Sequence, residues 1–319
     1  MRSEDYHVLE KALSWLGRDQ QCWLATIVHT VGSSPRPIGS LLAFNSNSEL
    51  VGSVSGGCIE EDLIDWVNSG AIKDISCDVF EFGVTAEENE RLGLPCGGSV
   101  KVLVQVLSRA SDFSWIEKVL QSLLDRQCVE RRLDLDSGNT CLEATTDFKQ
   151  LEFRERALSQ TFGPRMRLFL IGAGQLSQCV AAIAVAMDYE VCVIDPRVKP
   201  IEFWSGPKVE LVRGMPDDIL KTRTDSKSIV ITLTHDPRID DMALCEALEG
   251  PAWYVGALGS IRTTQRRMER LEQLGIPKAA CDRLHAPVGL SIGSKTPMEI
   301  AVAIIGEITQ LRSYPNSDT

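Results

Sequence analysis

The 319-residue chain lacks several features that define large classes of proteins. No uninterrupted apolar run reaches the roughly 20 residues that a transmembrane helix needs. The first residues, MRSEDYHVLEKALSWLG, include acidic side chains and lack the apolar core of a secretory signal. No repeat or low-complexity tract interrupts the chain. We therefore expect a cytoplasmic globular protein without a membrane partner, long enough for two domains.

Basic residues are also scarce relative to acidic ones. The chain has 33 Lys and Arg against 44 Asp and Glu, which gives a formal net charge of -11. Because nucleic acids bind positively charged surfaces, this balance predicts no nucleic-acid partner. The segment IRTTQRRMERL is a local basic exception.

Cysteine pairs spaced as in zinc knuckles are absent, although the chain has ten cysteines. In a reducing compartment these thiols are expected to remain free. Four of them lie in apolar segments and are expected to pack as small hydrophobic residues, namely Cys22, Cys179, Cys192 and Cys245.

Two cysteines differ because glycine pairs flank them. Gly56 and Gly57 precede Cys58 in GSVSGGCIEEDLIDWV, where apolar residues at helical spacing predict a helix that begins near the cysteine. A thiol at a helix N-terminus faces backbone N–H groups, and flanking glycines let a bulky ligand approach the main chain. Cys58 is therefore a candidate ligand-contacting thiol, and the alternative is a packed residue next to a turn.

The segment LPCGGS reverses this order, with Cys96 before Gly97 and Gly98. Here the functional and the packing interpretations are equally supported.

A third segment, TVGSSPRPIGSLL, places Arg36 between two prolines that stiffen the loop. Ser34 and Gly39 add hydroxyl and backbone donors, so this loop is suited to an anionic group.

From Met166 onward the pattern predicts a Rossmann βαβ unit. MRLFLIGAGQLSQCVAAIAVAMDYEVCVIDPR contains a strand, a turn with Gly172 and Gly174, an alanine-rich helix and a second strand that ends at Asp195. Gly172 suits the tight turn, Gly174 allows a pyrophosphate to approach, and Asp195 stands where a ribose-binding acid is expected. The third glycine of the motif is replaced by Ser177.

His235 and Asp236 follow the later strand SIVITLT, where they would reach the ligand crevice of a parallel sheet. HDPRIDD is equally compatible with a turn that starts a helix.

The fold class we predict is α/β, with an N-terminal mixed α/β domain followed by a C-terminal Rossmann-like parallel-sheet domain. The predicted boundaries are residues 1–108, a connector with a helix and a hairpin at 109–163, and residues 164–313.

Taken together, the motifs resemble a known family. GSSPRPIGSLL, GSVSGGCIEEDL and LPCGGSVKVLVQ, then IGAGQLSQCV, VIDPR, THDPRIDD, YVGALGS and GLSIGSKTPMEIAVAIIGEI, are similar to xanthine dehydrogenase accessory proteins of the XdhC/CoxI type. The resemblance implies a chaperone more than an enzyme. Such a protein binds molybdenum cofactor (molybdopterin), works with a cysteine desulfurase during sulfuration of the cofactor, and delivers it to an apo-molybdenum hydroxylase such as the xanthine dehydrogenase large subunit.

The resemblance also implies roles for particular residues. Cys58 and Cys96 match its cysteine motifs and would contact the cofactor or its metal, and Arg36 would hold the phosphate. Gln175 departs from the family, because many relatives have histidine after the Gly-x-Gly turn. Two alternatives stay open, an NAD(P)-dependent oxidoreductase that uses the Rossmann domain and a passive interaction protein. We also expect a homodimer, and the Rossmann domain could take a nucleotide.

Overall fold

The structure is a computed structural model of the chain, and it describes residues 3–32, 36–72, 77–83, 98–108, 113–146 and 149–313. The chain divides into two compact units, Met1–Pro164 and Arg165–Thr319. The segment predicted as a connector, residues 109–163, lies within the first unit. Among the described residues, no helix is both long and apolar enough to cross a membrane.

The first unit contains an antiparallel five-stranded sheet with strand order β3-β2-β1-β5-β4. Its strands are β1 (Cys22–Val31), β2 (Leu41–Asn45), β3 (Leu50–Gly52), β4 (Cys77–Phe82) and β5 (Ser99–Leu107). Helix α1 (Glu4–Leu16) covers one face and helix α2 (Cys58–Ser69) the other. Because both faces are covered, residues 22–28 of β1 are all buried, which explains why six of these seven residues are apolar.

A second antiparallel sheet completes this unit, with strand order β7-β6-β9-β8. Its elements are α3 (Ser114–Leu124), β6 (Cys128–Asp134), β7 (Thr140–Thr145), β8 (Glu152–Arg154) and β9 (Ala157–Phe162). A hairpin turn joins β6 and β7, where the carboxylate of Asp134 accepts hydrogen bonds from the backbone N–H and the hydroxyl of Ser137. Val129 and Phe162 pack with Leu24 and Leu107, so this sheet shares a core with the face that α1 covers.

The second unit confirms the predicted Rossmann-like domain. Six parallel strands are arranged in the order β12-β11-β10-β13-β14-β15, the 3-2-1-4-5-6 order of a doubly wound sheet. The strands are β10 (Arg167–Ile171), β11 (Glu190–Ile194), β12 (Glu210–Val212), β13 (Ser228–Thr232), β14 (Tyr254–Ala257) and β15 (Leu284–His285).

Helices cover both faces of this sheet. They are α4 (Gln175–Ala186), α5 (Val198–Glu202), α6 (Pro216–Arg223), α7 (Pro237–Glu249), α8 (Ile261–Gln273), α9 (Lys278–Cys281) and α10 (Pro297–Ser313). Alanine and isoleucine side chains of α4 and α10 fill the core on one face, while α7 and α8 contribute to the core on the other. The strand order reverses between β10 and β13, and a crevice at that point is where such sheets bind ligands.

Candidate functional site

Three motif loops leave the five-stranded sheet at the same end. Val31, at the end of β1, pairs with Ser99 at the start of β5, and Leu42 near the start of β2 pairs with Gly52 at the end of β3. The register therefore brings together the ends of the loops that carry Arg36, Cys58 and the Cys96 segment. A Cβ on Gly32 would lie 3.5 Å from the Cα of Gly98. Ser34, Cys96 and Gly97 themselves lie outside the described residues.

Cys58 is the first residue of α2, and its thiol is exposed and not in a disulfide. Gly56 and Gly57 precede it with φ angles of 89° and 147°, a region that favours glycine. Apart from their chain neighbours, no heavy atom of the described residues lies within 4 Å of the position that a Cβ would take on either glycine. Backbone conformation therefore requires these glycines, and the space beside the exposed thiol is open.

Glu60 organises the loop before Cys58, a role that the sequence alone did not indicate. One carboxylate oxygen accepts from the Ser53 hydroxyl at 2.7 Å and from the N–H groups of Val54 and Ser55 at 2.8 and 3.0 Å. The other accepts from the Ser55 hydroxyl and from the Gly57 N–H at 3.0 Å. Burial would raise the pKa of Glu60, but these hydrogen bonds outweigh it and lower the pKa to about 2. The available signal was the acid three residues after the N-cap position.

The same network uses N–H groups that were expected to face the thiol. The Gly57 N–H is bound to Glu60, and the Ile59 N–H donates to the Ser55 hydroxyl at 2.9 Å. Protein groups therefore accept hydrogen bonds from the N–H groups on both sides of Cys58, which begins α2. Its usefulness to a ligand depends on the exposed sulfur itself.

The predicted anion loop is fastened to the rest of the first unit. Arg36 donates a hydrogen bond to the carboxylate of Glu4 on α1. Gly39 has a φ of 91°, its N–H donates to the Ile27 carbonyl at 2.8 Å, and its own carbonyl accepts from the Gln160 amide at 3.3 Å. Arg36 can reach an anion in place of Glu4 only if this ion pair opens.

No group of three or more His, Cys, Asp or Glu side chains in the described parts of the chain is placed to hold a metal ion. The predicted pair of metal-contacting thiols, Cys58 and Cys96, includes one residue outside those parts. A metal contact by this pair stays a prediction.

The crevice of the second unit begins at the Gly-x-Gly turn. Gly172 has a φ of 106°, and a Cβ there would lie 2.7 Å from Cγ2 of Thr234, so close approach of the turn after β10 to the loop after β13 requires glycine. Gly174 is the N-cap of α4, and within the described parts of the chain no atom beyond its neighbours in sequence lies within 4 Å of its Cβ position. Ser177 donates its hydroxyl hydrogen to the Gly172 carbonyl, so the residue at the third glycine position stabilises the turn.

Asp195, the expected ribose-binding acid, is fully buried and bound to protein groups. One carboxylate oxygen accepts from the backbone N–H and from Nε of Arg197 at 2.9 and 2.8 Å. The other accepts from Nη2 of Arg197 at 2.7 Å and from the Ala173 N–H at 2.9 Å. Burial raises the pKa of Asp195, but the bonds to Arg197 and Ala173 outweigh it and keep the pKa below its usual value. These four bonds use the acceptor positions that a ribose would need.

His235 and Asp236 have different structural roles. Asp236 is the N-cap of α7, where its carboxylate accepts from the Arg238 N–H at 3.0 Å and pairs with the Arg238 guanidinium at 2.9 Å. His235 is exposed at the carboxyl end of β13, with a φ of 64° that is uncommon outside glycine. Asp236 is therefore occupied as a cap, and His235 is the member of the pair that faces solvent.

Comparison with known proteins agrees with this architecture. Residues 168–308 match the XdhC Rossmann domain, and residues 15–73 match the XdhC and CoxI family. The two matched segments are therefore domains of the XdhC type. A crystal structure from Bacillus halodurans, described as a xanthine dehydrogenase, has a TM-score of 0.76 and 25% sequence identity, and the match covers 99% of this chain and 97% of that one.

Two curated relatives also match across nearly the whole chain. The Escherichia coli molybdenum cofactor insertion chaperone PaoD is 25% identical over 317 residues, which cover 98% of this chain and 90% of PaoD. A Bacillus subtilis protein, named as a probable component of xanthine dehydrogenase, is 25% identical over 334 residues, covering 97% of this chain and 98% of that protein. The similarity to these XdhC-type proteins therefore includes both units.

A buried ion cluster supports the crevice of this XdhC Rossmann domain, and the sequence alone did not indicate it either. Asp240 accepts from the Thr234 hydroxyl at 2.7 Å and lies 3.4 Å from a guanidinium nitrogen of Arg267. Asp241 pairs with Arg270. The basic segment IRTTQRRMERL therefore directs two of its arginines toward α7, and only contacts between distant segments reveal this.

Proposed function

We propose that the chain is an accessory chaperone that binds molybdenum cofactor, supports its sulfuration and delivers it to an apo-molybdenum hydroxylase such as xanthine dehydrogenase. The observation that supports this best is the exposed thiol of Cys58 beside the open backbone of Gly56 and Gly57. It lies in the residues that match the XdhC and CoxI family. The function in the name of PaoD, which aligns with 98% of this chain, agrees with the proposal.

The donor set fits a molybdenum-bearing cargo. A thiolate is a soft ligand that suits a thiophilic metal centre or a sulfur atom in transfer. We extend the proposal to Cys96, because the segment 84–97 connects Gly83 and Gly98, which adjoin paired ends of β4 and β5 at this end of the sheet. Cys58 and Cys96 would then contact the cargo together, with Gly56, Gly57, Gly97 and Gly98 leaving space for it.

The loop with Ser34, Arg36 and Gly39 would bind the phosphate of the cofactor. Arg36 offers planar paired donors that match phosphate oxygens. Its guanidinium now binds Glu4, so phosphate would compete with a carboxylate for the same donors. The proposed partners are a cysteine desulfurase, during sulfuration of the cofactor, and the apo-hydroxylase that receives it.

The second unit would take a phosphate-bearing ligand without hydride transfer. At Gly174, the N-cap of α4, the space that a Cβ would occupy is open, which suits a phosphate. Asp195 is bound to Arg197 and Ala173, which argues against the usual ribose contact of an NAD(P)-dependent oxidoreductase. Calorimetry with NAD, NADP and nucleotides tests binding. Sustained NADH oxidation with a small carbonyl substrate, abolished by Gly174→Asp, would instead support the oxidoreductase.

The experiment for the chaperone is cofactor loading in a host that makes molybdenum cofactor. Molybdenum is measured by mass spectrometry and pterin by fluorescence after oxidation, each per folded chain. Cys58→Ala is expected to lower both at least about tenfold, since even loss of a supporting group around a metal costs that much. Because the thiol is exposed, the stability change should stay within about 0.5 kcal/mol.

Cys141→Ala is the matched control, since Cys141 is a second exposed thiol, located on β7. It should retain both loading and stability. A double variant Cys58→Ala, Cys96→Ala with normal molybdenum and pterin content would refute the thiol site.

A further inference from the structure

A row of polar side chains crosses the interior of the first unit between its two sheets. On three strands a buried polar residue stands between two apolar residues of the same face. The triplets are Leu103, Gln105 and Leu107 on β5, Val129, Arg131 and Leu133 on β6, and Leu158, Gln160 and Phe162 on β9. The three central residues thus lie between two apolar clusters, and one of these residues, Arg131, carries a charge.

Arg131 is only 1% exposed and has no carboxylate partner among the described residues. Its guanidinium donates to the Gln105 side-chain oxygen and lies 3.8 Å from the ring centroid of Trp115. A buried charge without a counter-charge costs several kcal/mol. The amide and the ring offset only part of this cost because neither carries a negative charge.

Unsatisfied donors accompany the charge. Neither Nε of Arg131 nor the indole nitrogen of the stacked Trp115 has a hydrogen-bond acceptor in the described residues. The side-chain oxygen of Gln160, the cross-strand neighbour of Arg131, also has no partner there. Buried polar groups in folded proteins are normally paired, so these atoms indicate a component that the protein groups do not supply.

The nearby thiol of Cys77 does not neutralise the charge. Burial raises the pKa of Cys77 to about 11, so the thiol is protonated at neutral pH. Burial lowers the pKa of Arg131 to about 9, which still leaves the guanidinium protonated. Among the described residues, the charge of Arg131 is therefore left without a counter-charge.

We propose that the first unit binds an exchangeable monovalent anion of halide size at Arg131, between the two sheets. The anion would supply the missing counter-charge and an acceptor for the unpaired N–H groups of Arg131 and Trp115. Protein interiors are close-packed in general, which favours a monatomic ion over phosphate or a carboxylate. A water molecule could join Arg131 Nε to the Gln160 oxygen but would leave the charge uncompensated.

Bromide is the probe, because it replaces chloride and gives an anomalous X-ray signal. Crystals of the full chain grown in sodium bromide should show an anomalous peak in contact with the Arg131 guanidinium. In solution, the first unit should be more stable in chloride or bromide than in sodium gluconate of equal ionic strength. Once the site is saturated, each tenfold rise in halide should increase its folded-to-unfolded ratio about tenfold.

Arg131→Met should abolish the halide-specific part of this dependence. Arg132→Met is the matched control, since Arg132 is the next residue on β6 and its side chain is exposed, and it should keep the dependence. If Arg131→Met does not fold, the bromide map and Arg131→Lys, which retains the charge and should retain the halide effect, still decide. Bromide-grown crystals with only water at Arg131, or equal halide dependence in Arg131→Met and the native chain, would overturn the proposal.

Discussion

Replacing Glu60 with glutamine should loosen the loop that presents Cys58. The substitution removes the negative charge that accepts hydrogen bonds from two hydroxyls and three backbone N–H groups, while it preserves the shape of the side chain. Glu60 is 5% exposed, so solvent screens these bonds little.

The pKa of Glu60 gives the magnitude. It falls from an ordinary value of 4.5 to about 2, a difference of about 2.5 pH units, which corresponds to roughly 3–4 kcal/mol at ~1.4 kcal/mol per unit. Because the folded-state pKa is the lower one, this stabilisation is fully present above about pH 4.5. It is lost as the pH falls through about 2. We expect Glu60→Gln to destabilise the first unit at pH 7 by ~2–3 kcal/mol.

Hydrogen exchange of residues 53–60, measured by mass spectrometry, and urea unfolding at pH 7 and pH 3 test this. The variant should exchange faster in that segment and lose less stability than the native chain between the two pH values. Glu61→Gln is the matched control, since Glu61 is the exposed neighbour on α2, and it should change neither measurement. Native exchange and an unaltered acid response in Glu60→Gln would refute the assigned role.

Three other predictions concern the second unit and assembly. Gly172→Ala should destabilise that unit by about 1–3 kcal/mol, because of the positive φ and the 2.7 Å approach to Thr234, whereas Gly174→Ala should cost less than about 1 kcal/mol in thermal unfolding. Glu307→Gln should lower the free energy of unfolding by about 1–3 kcal/mol, since the Glu307 carboxylate lies 2.9 Å from Nδ1 of His285. Burial raises the pKa of Glu307, but its hydrogen bonds outweigh burial and hold the pKa below its usual value. The variant should therefore lose less stability than the native chain when the pH falls below 5. Light scattering should show a homodimer, and a monomer at micromolar concentration would contradict that expectation.

Local patterns in the sequence were sufficient for much of the fold. The apolar runs with β-branched residues in β1 and β5 are typical of buried strands, and Asp-Ser-Gly-Asn between β6 and β7 is typical of a hairpin turn. The strand, glycine turn and alanine-rich helix after Met166 predicted the Rossmann unit. These features depend on residues close in the chain, whose preferences act before any distant contact forms.

The roles of individual polar residues depended on partners far away in sequence. Asp195 matched the ribose-binding position, but Ala173 and Arg197 occupy its carboxylate. The sequence pattern places Glu60 on an amphipathic helix, but it does not show that the Glu60 carboxylate accepts hydrogen bonds from the loop that precedes the helix. The common end at which the three motif loops leave the sheet was likewise decided by strand register.

Arg131 shows most clearly which structural properties the sequence alone could not predict. The alternation of Val129, Arg131 and Leu133 places the arginine on the inward face of β6, so the sequence determined the direction of its side chain. It could not determine whether a long side chain on that face reaches water or stays inside. Gln105 of the five-stranded sheet and the ring of Trp115 on α3 enclose the guanidinium, and only the tertiary structure brings them there. Whether a buried charge is compensated depends on all the groups within a few ångströms of it. The sequence of one strand does not reveal which groups from distant segments lie there.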